Sequence, residues 1–471
     1  MSERNFKTAL QMAIRGRVIT PEDADYEEAR KVWNRTYDRH PGALVRCLDT
    51  DDVVAAVKYL RQAGIDFCVR GGGHSYGGHS IIDDGVVIDL HDMNAVDVDV
   101  ESRIVSVQGG ALLGDVDRAT DPHGLVVPAG LVGHTGVAGL TLGGGTGWLS
   151  RPMGLTCDSV LRMEVVTAAG EVVSASSTEN ADLFWALRGG GGNFGIVTKF
   201  VFQARPRPDM HAGWLYYDVP DSAVVLGYLN ELVESGDRNL TVYAYLGVEV
   251  GNAEVPVQTE SGRVLALRIA YAGSSTERDA ALKPLRSIAP VLGDNVRPRD
   301  FLEMQQEFDK VLAHGPEWYM FADHSRRLND RLIDELIELG AEKPNIHLAD
   351  DGSIITTAVM VVMTLGGAIS DVPEEDTAYP GRRAGFGYAL EAGGIGQEWA
   401  ELRPWARAAY ARLSPHGDMD SSYLNMYSES DTRNRLRDVY GPEKYDKLRE
   451  IKRKWDPQNL LSHNANIPPA D

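Results

Sequence analysis

The eleven residues Arg70–Ser80 read RGGGHSYGGHS. Five are glycine, two histidine and two serine, with one tyrosine and one arginine. An apolar run, Phe67–Val69, feeds into this stretch, and Ile81, Ile82 and then Val86–Leu90 lead away. Glycines at this density let the backbone take φ > 0 and bring its N–H groups close to another molecule. A string of such N–H groups is an anion cradle. His74 puts a nucleophilic side chain at the edge of that cradle. Two readings are open from this stretch: a loop holding the pyrophosphate of a cofactor with His74 at its reactive ring, or a glycine-rich turn with a solvent histidine.

The bulk composition narrows the classes. The 471 residues are 43% hydrophobic and 24% charged, enough for two or three cores. A net charge of −21 disfavours nucleic acid and anionic membrane as partners. No run approaches the ~18 apolar residues of a membrane span. The start, MSERNFKTALQMAIRGR, lacks the apolar core of a secretory signal, so a cytoplasmic location is expected. Three scattered cysteines, Cys47, Cys68 and Cys157, suit a reduced compartment and form no CxxC metal site. Cys68, in an apolar strand-like run, reads as a small buried hydrophobe.

Outward from the loop, Ala43–Arg46 reads as a strand and Asp23–Trp33 as a short opening helix. Thr50-Asp51-Asp52 caps a helix with Val53, Val57 and Leu60 at helical spacing, ended by Gly64. Phe67–Arg70 is the next strand, so the glycine loop follows a β-α-β start. A second glycine block spans Val127–Leu155, and a third, DLFWALRGGGGNFGIVTK, spans Asp182–Lys199. In the second, Gly143, Gly144, Gly145 and Gly147 mark a place where side chains would collide with something close. Three such blocks, each flanked by strands, point to a large extended ligand. Between the second and third, Val160–Val166 and Glu171–Ser174 form a hairpin around Ala169-Gly170.

Arg205–Asp209 (RPRPD) is a natural boundary. Beyond it, Trp214–Val219, Leu240–Val250, Val264–Ala272 and Ser353–Leu365 read as strands. Ser222–Val233, Thr276–Ile288 and Asp300–Leu312 read as helices. That pattern predicts an antiparallel sheet with helices on one face. The last segment holds a strand at Ser422–Tyr427 and helices at Ser430–Val439 and Lys444–Lys454.

GxxxxGK[ST] is absent, and the first glycine loop leads toward strands rather than opening a helix as a dinucleotide fingerprint requires. No cluster has metal-ligand spacing and no G-x-S-x-G elbow occurs. The three blocks RGGGHSYGG, PAGLVGHTGVAGLTLGGGTGWLSRPMGLTCDSV and FWALRGGGGNFGIVTKF together resemble the FAD-binding domain of the vanillyl-alcohol-oxidase/p-cresol-methylhydroxylase superfamily. Within it, GGAISDVPEEDTAYPGRR and the tail YGPEKYDKLREIKRKWDPQNLLSHNANIPP resemble the berberine-bridge-enzyme-like group. The resemblance covers nearly the whole chain. It implies an α+β fold: a two-part FAD-binding domain over 1–205, a substrate domain with an antiparallel sheet backed by helices over 206–417, and a C-terminal segment, 418–471, returning to the first.

The resemblance implies FAD contacts at Arg70, Gly71, Gly72, Gly73, His74, Ser75 and Gly77. Further contacts are implied at Gly130, His134, Thr135, Gly136, Gly139, Gly143, Gly144, Gly145 and Gly147, at Gly192, Asn193, Gly195, Ile196 and Val197, and at Asn464. It also implies a covalent 8α bond from a ring nitrogen of His74. Many members add a cysteine link, but Val132 stands at that position, so a single attachment is expected. His79 reads as ordinary loop chemistry. Thr135 matches a position where a small residue favours reaction of the reduced flavin with O2.

A flavin accepts hydride from a C–H beside oxygen or nitrogen, and a base must take the neighbouring proton. Tyr76 matches a tyrosine lining the substrate site in relatives. A strand over Ser422–Tyr427 would put Tyr423, Asn425 and Tyr427 on one face, resembling the family's Y-x-N strand. A phenolate acts as base only if positive charge lowers its ordinary pKa of ~10. Which tyrosine acts is open, and Glu164, Asp323 and His324 are alternatives, with Glu164 the more structural. The reading is an oxidoreductase on a CH–OH or CH–NH carbon of a small-molecule substrate, with O2 as reoxidant giving H2O2. A dehydrogenase, an oxidative tailoring enzyme or a flavoprotein without turnover stays open. The Tyr- and Val-rich strands predict a partly apolar, aromatic-lined pocket.

Overall fold

The computed structural model describes residues 3–349, 354–428 and 432–471. Its first sheet places the glycine loop. The helix Thr50–Ala63 starts where the Asp49 side chain accepts from the Asp52 N–H and stops at Gly64, which takes φ 64°. The sheet runs in the order Arg17–Ile19, Ala43–Arg46, Val86–Asp89, Phe67–Arg70. Val86–Asp89 therefore inserts between the strands on either side of that helix, parallel to both. Phe67–Arg70 ends at the edge, and the loop leaves from there. Arg70 sits opposite Asp89 in this register, and its guanidinium donates to both carboxylate oxygens at 3.1 and 2.6 Å.

A second, antiparallel sheet orders Val96–Asp99, Ile104–Gln108, Ile196–Gln203, Val160–Val166 and Val172–Ser176. The predicted hairpin is present, with Gly170 at φ 76° in its turn. The second glycine block carries a helix, Val137–Leu142, and the third a helix, Ala181–Ala186, before its glycines.

Beyond residue 206 lies a sheet with nine strands among the described residues. Its main path runs Gly293–Asp294, Met210–Asp218, Arg263–Ala272, Leu240–Glu249, Ile354–Thr364, Phe386–Gly394, Glu317–Ser325. All its pairings are antiparallel. Alternation splits each strand between two faces. Val242, Ala244, Met360 and Val362 pack with Leu226, Leu332 and Leu402 of the helices Ser222–Ser235, Asp330–Glu342 and Gly396–Leu413. The opposite face, with Tyr243, Val361 and Met363, packs toward Trp33, Tyr76 and Trp148 of the first part. The α+β class with helices backing an antiparallel sheet is as expected.

Several elements differ from the sequence reading. The opening helix is only Tyr26–Ala29, and an unforeseen helix covers Glu3–Ala13. Thr276–Ile288 breaks into Ser275–Leu282 and Leu285–Ile288, because Pro284 cannot continue the first helix. Asp300–Leu312 is helical only at Phe301–Gln305. The strands Glu317–Ser325 and Phe386–Gly394 and the helices Asp330–Glu342 and Gly396–Leu413 were unread. The positions 353, 430 and 431 that opened two expected elements lie outside the described residues; those elements run Ile354–Thr364 and Thr432–Tyr440.

The C-terminal segment packs on the first part: Leu436, Tyr440, Leu448, Ile451 and Ile467 share a core with Leu183, Phe184 and Phe194. The motif Gly366–Arg383 bridges the parts. Arg382, 1% exposed, meets both oxygens of Asp158 at 2.7 and 2.6 Å. No helix among the described residues is long and apolar enough to cross a membrane.

Candidate active site

A cavity of about 590 Å³ runs between the glycine blocks and the open face of the large sheet. Of the residues expected at a cofactor, Gly71, Gly72, Gly73, His74, Ser75 and Gly77 line it. So do Gly130, Thr135, Gly136, Gly139, Gly143, Gly192, Asn193, Gly195, Ile196, Val197 and Asn464. The three blocks and the tail thus converge on one space.

Five of the expected residues are not among those lining it. Arg70 is spent on Asp89, a buried ion pair that fixes the strand end before the loop. His134 turns toward the backbone carbonyl of Asp309, 3.3 Å from its Nε2. Gly144, Gly145 and Gly147 are glycine for packing against protein. A Cβ there would lie 2.5 Å from the Tyr379 ring, 2.2 Å from Thr156 and 1.9 Å from the Ala129 carbonyl. The sequence signal of close approach was right, but the close neighbour is this chain itself.

The space fits an extended, polar cofactor. A Cβ built on Gly139 or Gly192 meets nothing within 4 Å, so both glycines border open volume. Buried polar atoms lacking a partner among the described residues include Asn464 Oδ1 and His74 Nε2, on residues lining the same space. The cradle is wired to the tail. Asn193 donates to the carbonyls of Gly190 and Ala465 and accepts from the Ile467 N–H at 3.0 Å. Lys452, fully buried, binds Asp456 at 2.7 Å and donates to the carbonyls of Asn193 and Leu461.

His74 is held by aromatic packing. Its ring stacks on Trp33, centroids 4.0 Å apart and planes 15° apart, and Trp33 stacks in turn on Trp318. His134 lies 5.0 Å and His314 6.5 Å from it. Burial, followed by the charges of His134 and His314, pushes its pKa well below the ordinary histidine value, so the imidazole is neutral at pH 7. Trp33 and His314 were missed by the sequence reading, because their sequence neighbours carry no motif.

The base candidates separate cleanly. The Tyr76 hydroxyl donates a 2.5 Å hydrogen bond to Oε1 of Glu391. Glu391 was also missed; it is the lone acid in the run Phe386–Gly394 (FGYALEAGG). Its cross-strand partners are Met320 and Val359. Burial among such neighbours pushes its carboxyl up to about 7, against the lowering effect of the Tyr76 bond. The Tyr423 hydroxyl accepts from the Gly145 N–H and from Asn425 Nδ2, each at 3.2 Å. Asn425 also donates to the carbonyls of Gly139 and Leu140.

Tyr423 and Asn425 are brought together, but not by a strand. The segment Leu424–Met426 is a 3-10 turn. Tyr427 also borders the cavity, but its hydroxyl pairs with Tyr410 at 2.6 Å and with Arg435 rather than with Tyr423 or Asn425. The protein's own groups do not favour a phenolate at either tyrosine. Burial, reinforced by Glu391, raises Tyr76 well above its ordinary value, and burial raises Tyr423. Asp323 is tied to Ser422, Tyr410 and Arg435, and His324 to Ser421 and Tyr379. Glu164 bridges Thr50 and Thr198, a structural role.

Much of the remaining wall is apolar and aromatic, with Trp214, Tyr243, Tyr245, Phe308, Met320, Val359, Val361 and Met363, while Asn252 and Lys343 also border the cavity. Val132 lines the cavity near His74's loop.

Comparison with known proteins decides the assignment. The FAD binding domain family matches residues 41–176, and the "Berberine and berberine like" family matches residues 422–468. The FAD-linked oxidoreductase YgaK of Bacillus subtilis (strain 168) is 31% identical over 466 residues, covering 97% of each chain. The chain belongs to the berberine-bridge-enzyme-like FAD oxidoreductases. Its cofactor is FAD, and its fold is of the p-cresol-methylhydroxylase type. The (R)-6-hydroxynicotine oxidase of Paenarthrobacter nicotinovorans is 31% identical over 482 residues, covering 98% of this chain and 99% of that one. Among solved structures, 6-hydroxy-D-nicotine oxidase from Arthrobacter nicotinovorans superposes with a TM-score of 0.84 at 25% identity, covering 98% and 99%. Glucooligosaccharide oxidase from Acremonium strictum, which carries a 6-S-cysteinyl, 8α-N1-histidyl FAD, shares the fold with a TM-score of 0.85 at 23% identity over 100% of both chains.

Proposed function

We propose that this FAD oxidoreductase removes hydride from a CH–OH or CH–NH carbon of a small molecule, and that O2 reoxidises it to give H2O2. FAD supplies the hydride-accepting N5 and passes the electrons onward. The observation that carries this reading is the Glu391 carboxyl, inside the cavity and hydrogen-bonded to Tyr76, two residues from His74 in the chain.

The chain's own residues take defined parts. Glu391, with a carboxyl near neutrality, accepts the O–H or N–H proton as the C–H bond breaks. Tyr76 orients that carboxyl. Tyr423, aimed by the Gly145 N–H and Asn425, offers a second polar group. His74 is the covalent anchor: neutral, stacked on Trp33, and with an unpartnered ring nitrogen. Val132 has no thiol, so the anchor is single. Gly139, Gly192, Asn193 and Asn464 border the volume for the rest of FAD. Thr135, a small residue on the same wall, leaves room for O2.

The test has two steps. Acid-precipitated protein should stay yellow, and that colour should be lost in His74→Ala. Oxygen uptake with stoichiometric peroxide should follow addition of a substrate. Flavin reduction without oxygen uptake would replace the oxidase by a dehydrogenase. A purified protein with no flavin spectrum would refute the reading altogether.

A further inference from the structure

Resting on that reading, we infer that the substrate carries an unbranched apolar arm. The arm leaves the cavity through a window in the large sheet and ends at the Lys343–Glu249 ion pair.

The window follows from the strand register. Leu240–Glu249 pairs with Arg263–Ala272 from one end to the other, Leu240 opposite Tyr271 and Glu249 opposite Arg263. On its other side it pairs with Ile354–Thr364 only where Tyr243, Ala244 and Tyr245 face Met363, Val362 and Val361. Past Tyr245 the two strands part. The short strand His347–Leu348 resumes pairing with Ile354–Thr364 at Thr356 and Ile354. Between these points, residues 357–360 have no strand on this edge among the described residues.

The parting has a local cause. The ladder between Leu240–Glu249 and Arg263–Ala272 shifts register between Tyr245 and Val248, and such a bulge bends its strand. Gly247, inside the shift, takes φ 62°, a left-handed conformation that favours glycine. A Cβ on it would lie 1.9 Å from the Gly340 carbonyl oxygen, so the end of the helix Asp330–Glu342 is pressed against the bulge.

The cavity passes through this window. Tyr245 and Val359 border it from the face turned toward the FAD-binding part, and Leu246 and Met360 from the face that carries the helices. One cavity bordered by both faces of a sheet crosses that sheet where the strands part. Lys343 and Ile346, just past the helix Asp330–Glu342, border its far side.

The walls of the passage select its occupant. Leu246, Val248, Ile346, Ala358 and Met360 carry no hydrogen-bonding group on their side chains apart from the weak Met360 sulfur. Such a lining rewards buried methylenes and leaves a buried hydroxyl without a partner. Strands that pair at about 4.8 Å have parted over a few residues, an opening that suits a chain rather than a ring system. The far end is polar but already matched. Lys343 Nζ, buried, binds Glu249 Oε1 at 2.8 Å, and Glu249 also meets Arg263 at 3.5 Å and accepts from Asn252 at 3.0 Å. This cluster asks for no charge from the ligand. It closes the apolar passage and so limits the length of the arm.

The experiment titrates the holoenzyme by calorimetry, with the flavin absorbance followed in parallel. The probes are the 1-alkanols from 1-butanol to 1-decanol, and cyclodecanol. Affinity should rise about threefold to fourfold with each added methylene. 1-Decanol should bind at least tenfold more tightly than cyclodecanol, which has as many carbons but cannot thread the window. Val248→Trp and Ile346→Trp fill the passage from its two sides, and each should bring 1-decanol and cyclodecanol within twofold of each other. Equal or tighter binding of cyclodecanol overturns the inference. So does an affinity that does not rise with chain length, or a preference for 1-decanol that survives in both variants. The wild-type comparison decides by itself if neither variant folds. A protein without a flavin band would instead refute the oxidoreductase reading, which separates the two failures.

Discussion

The Tyr76 hydroxyl reaches the Glu391 carboxyl across 315 positions of sequence, closing the FAD-binding part onto the large sheet with one 2.5 Å hydrogen bond. Tyr76 follows the histidine anchor by two residues, and Glu391 projects from a strand near the far end of the sheet. Neither part alone holds both groups.

Glu391→Gln keeps the shape and removes the base. The rate of flavin reduction in a rapid-mixing experiment should fall by roughly 10²–10⁴-fold. The amount of FAD carried through acid precipitation should stay unchanged. Loss of bound flavin in this variant would show that Glu391 supports the cofactor rather than the reaction.

The same carboxyl sets the pH response. A base must be ionised to accept a proton, and the Glu391 pKa stands at about 7 in the folded chain. The reduction rate at saturating substrate should therefore rise from pH 5 through 7 and level off above it. In Glu391→Gln that inflection should vanish. The tyrosines of the cavity do not produce it, because Tyr76 and Tyr423 titrate above their ordinary range.

Gly143→Ala tests the link between the second glycine block and Tyr423. The new Cβ would stand 2.2 Å from Asn425 Oδ1, so Asn425 must move. Its bonds to Tyr423, Gly139 and Leu140 would be disturbed together. Displacement of about 1 Å can cost up to about 100-fold in kcat. Steady-state kinetics should show that loss in kcat, with circular dichroism unchanged.

Arg382→Met tests the bridge to Asp158. The pair is buried on both sides, 1% and 8% exposed. Removing the guanidinium strands a buried carboxylate, which costs about 3–5 kcal/mol. The melting midpoint should drop clearly, and adding Asp158→Leu should restore a large part of it. A single variant that melts like the parent would show that the bridge contributes little to holding the parts together.

Much of this was legible in the sequence because glycine is selective. The three blocks stood out since only glycine fits where backbones or ligands come this close, and the structure gathers them on one cavity. What glycine does not report is the identity of the close neighbour. Gly144 faces Tyr379 and Gly145 faces Thr156, and both looked like cofactor contacts. Glu391 was hidden for a different reason. Its strand is rich in glycine and alanine, FGYALEAGG, and so lacks the β-branched signature of a strand. Without the strand, nothing in the sequence says which way the one acid points. The turn at Leu424–Met426 reads as extended in the sequence because the flanking Tyr423 and Tyr427 mimic strand composition, while the long-range bonds of Asn425 to Gly139 and Leu140 hold it.

The wiring of Asn193 to Ala465 and Ile467, with Lys452 beneath it, also sets an order of events during synthesis. The glycine loop around residues 189–195 is translated early, but the groups that lock it are translated some 260 residues later, as the 259-residue separation of Lys452 from Asn193 shows. A chain still on the ribosome therefore has a cradle without its latch. The cradle gains its full set of hydrogen bonds only once the last helix has left the exit tunnel.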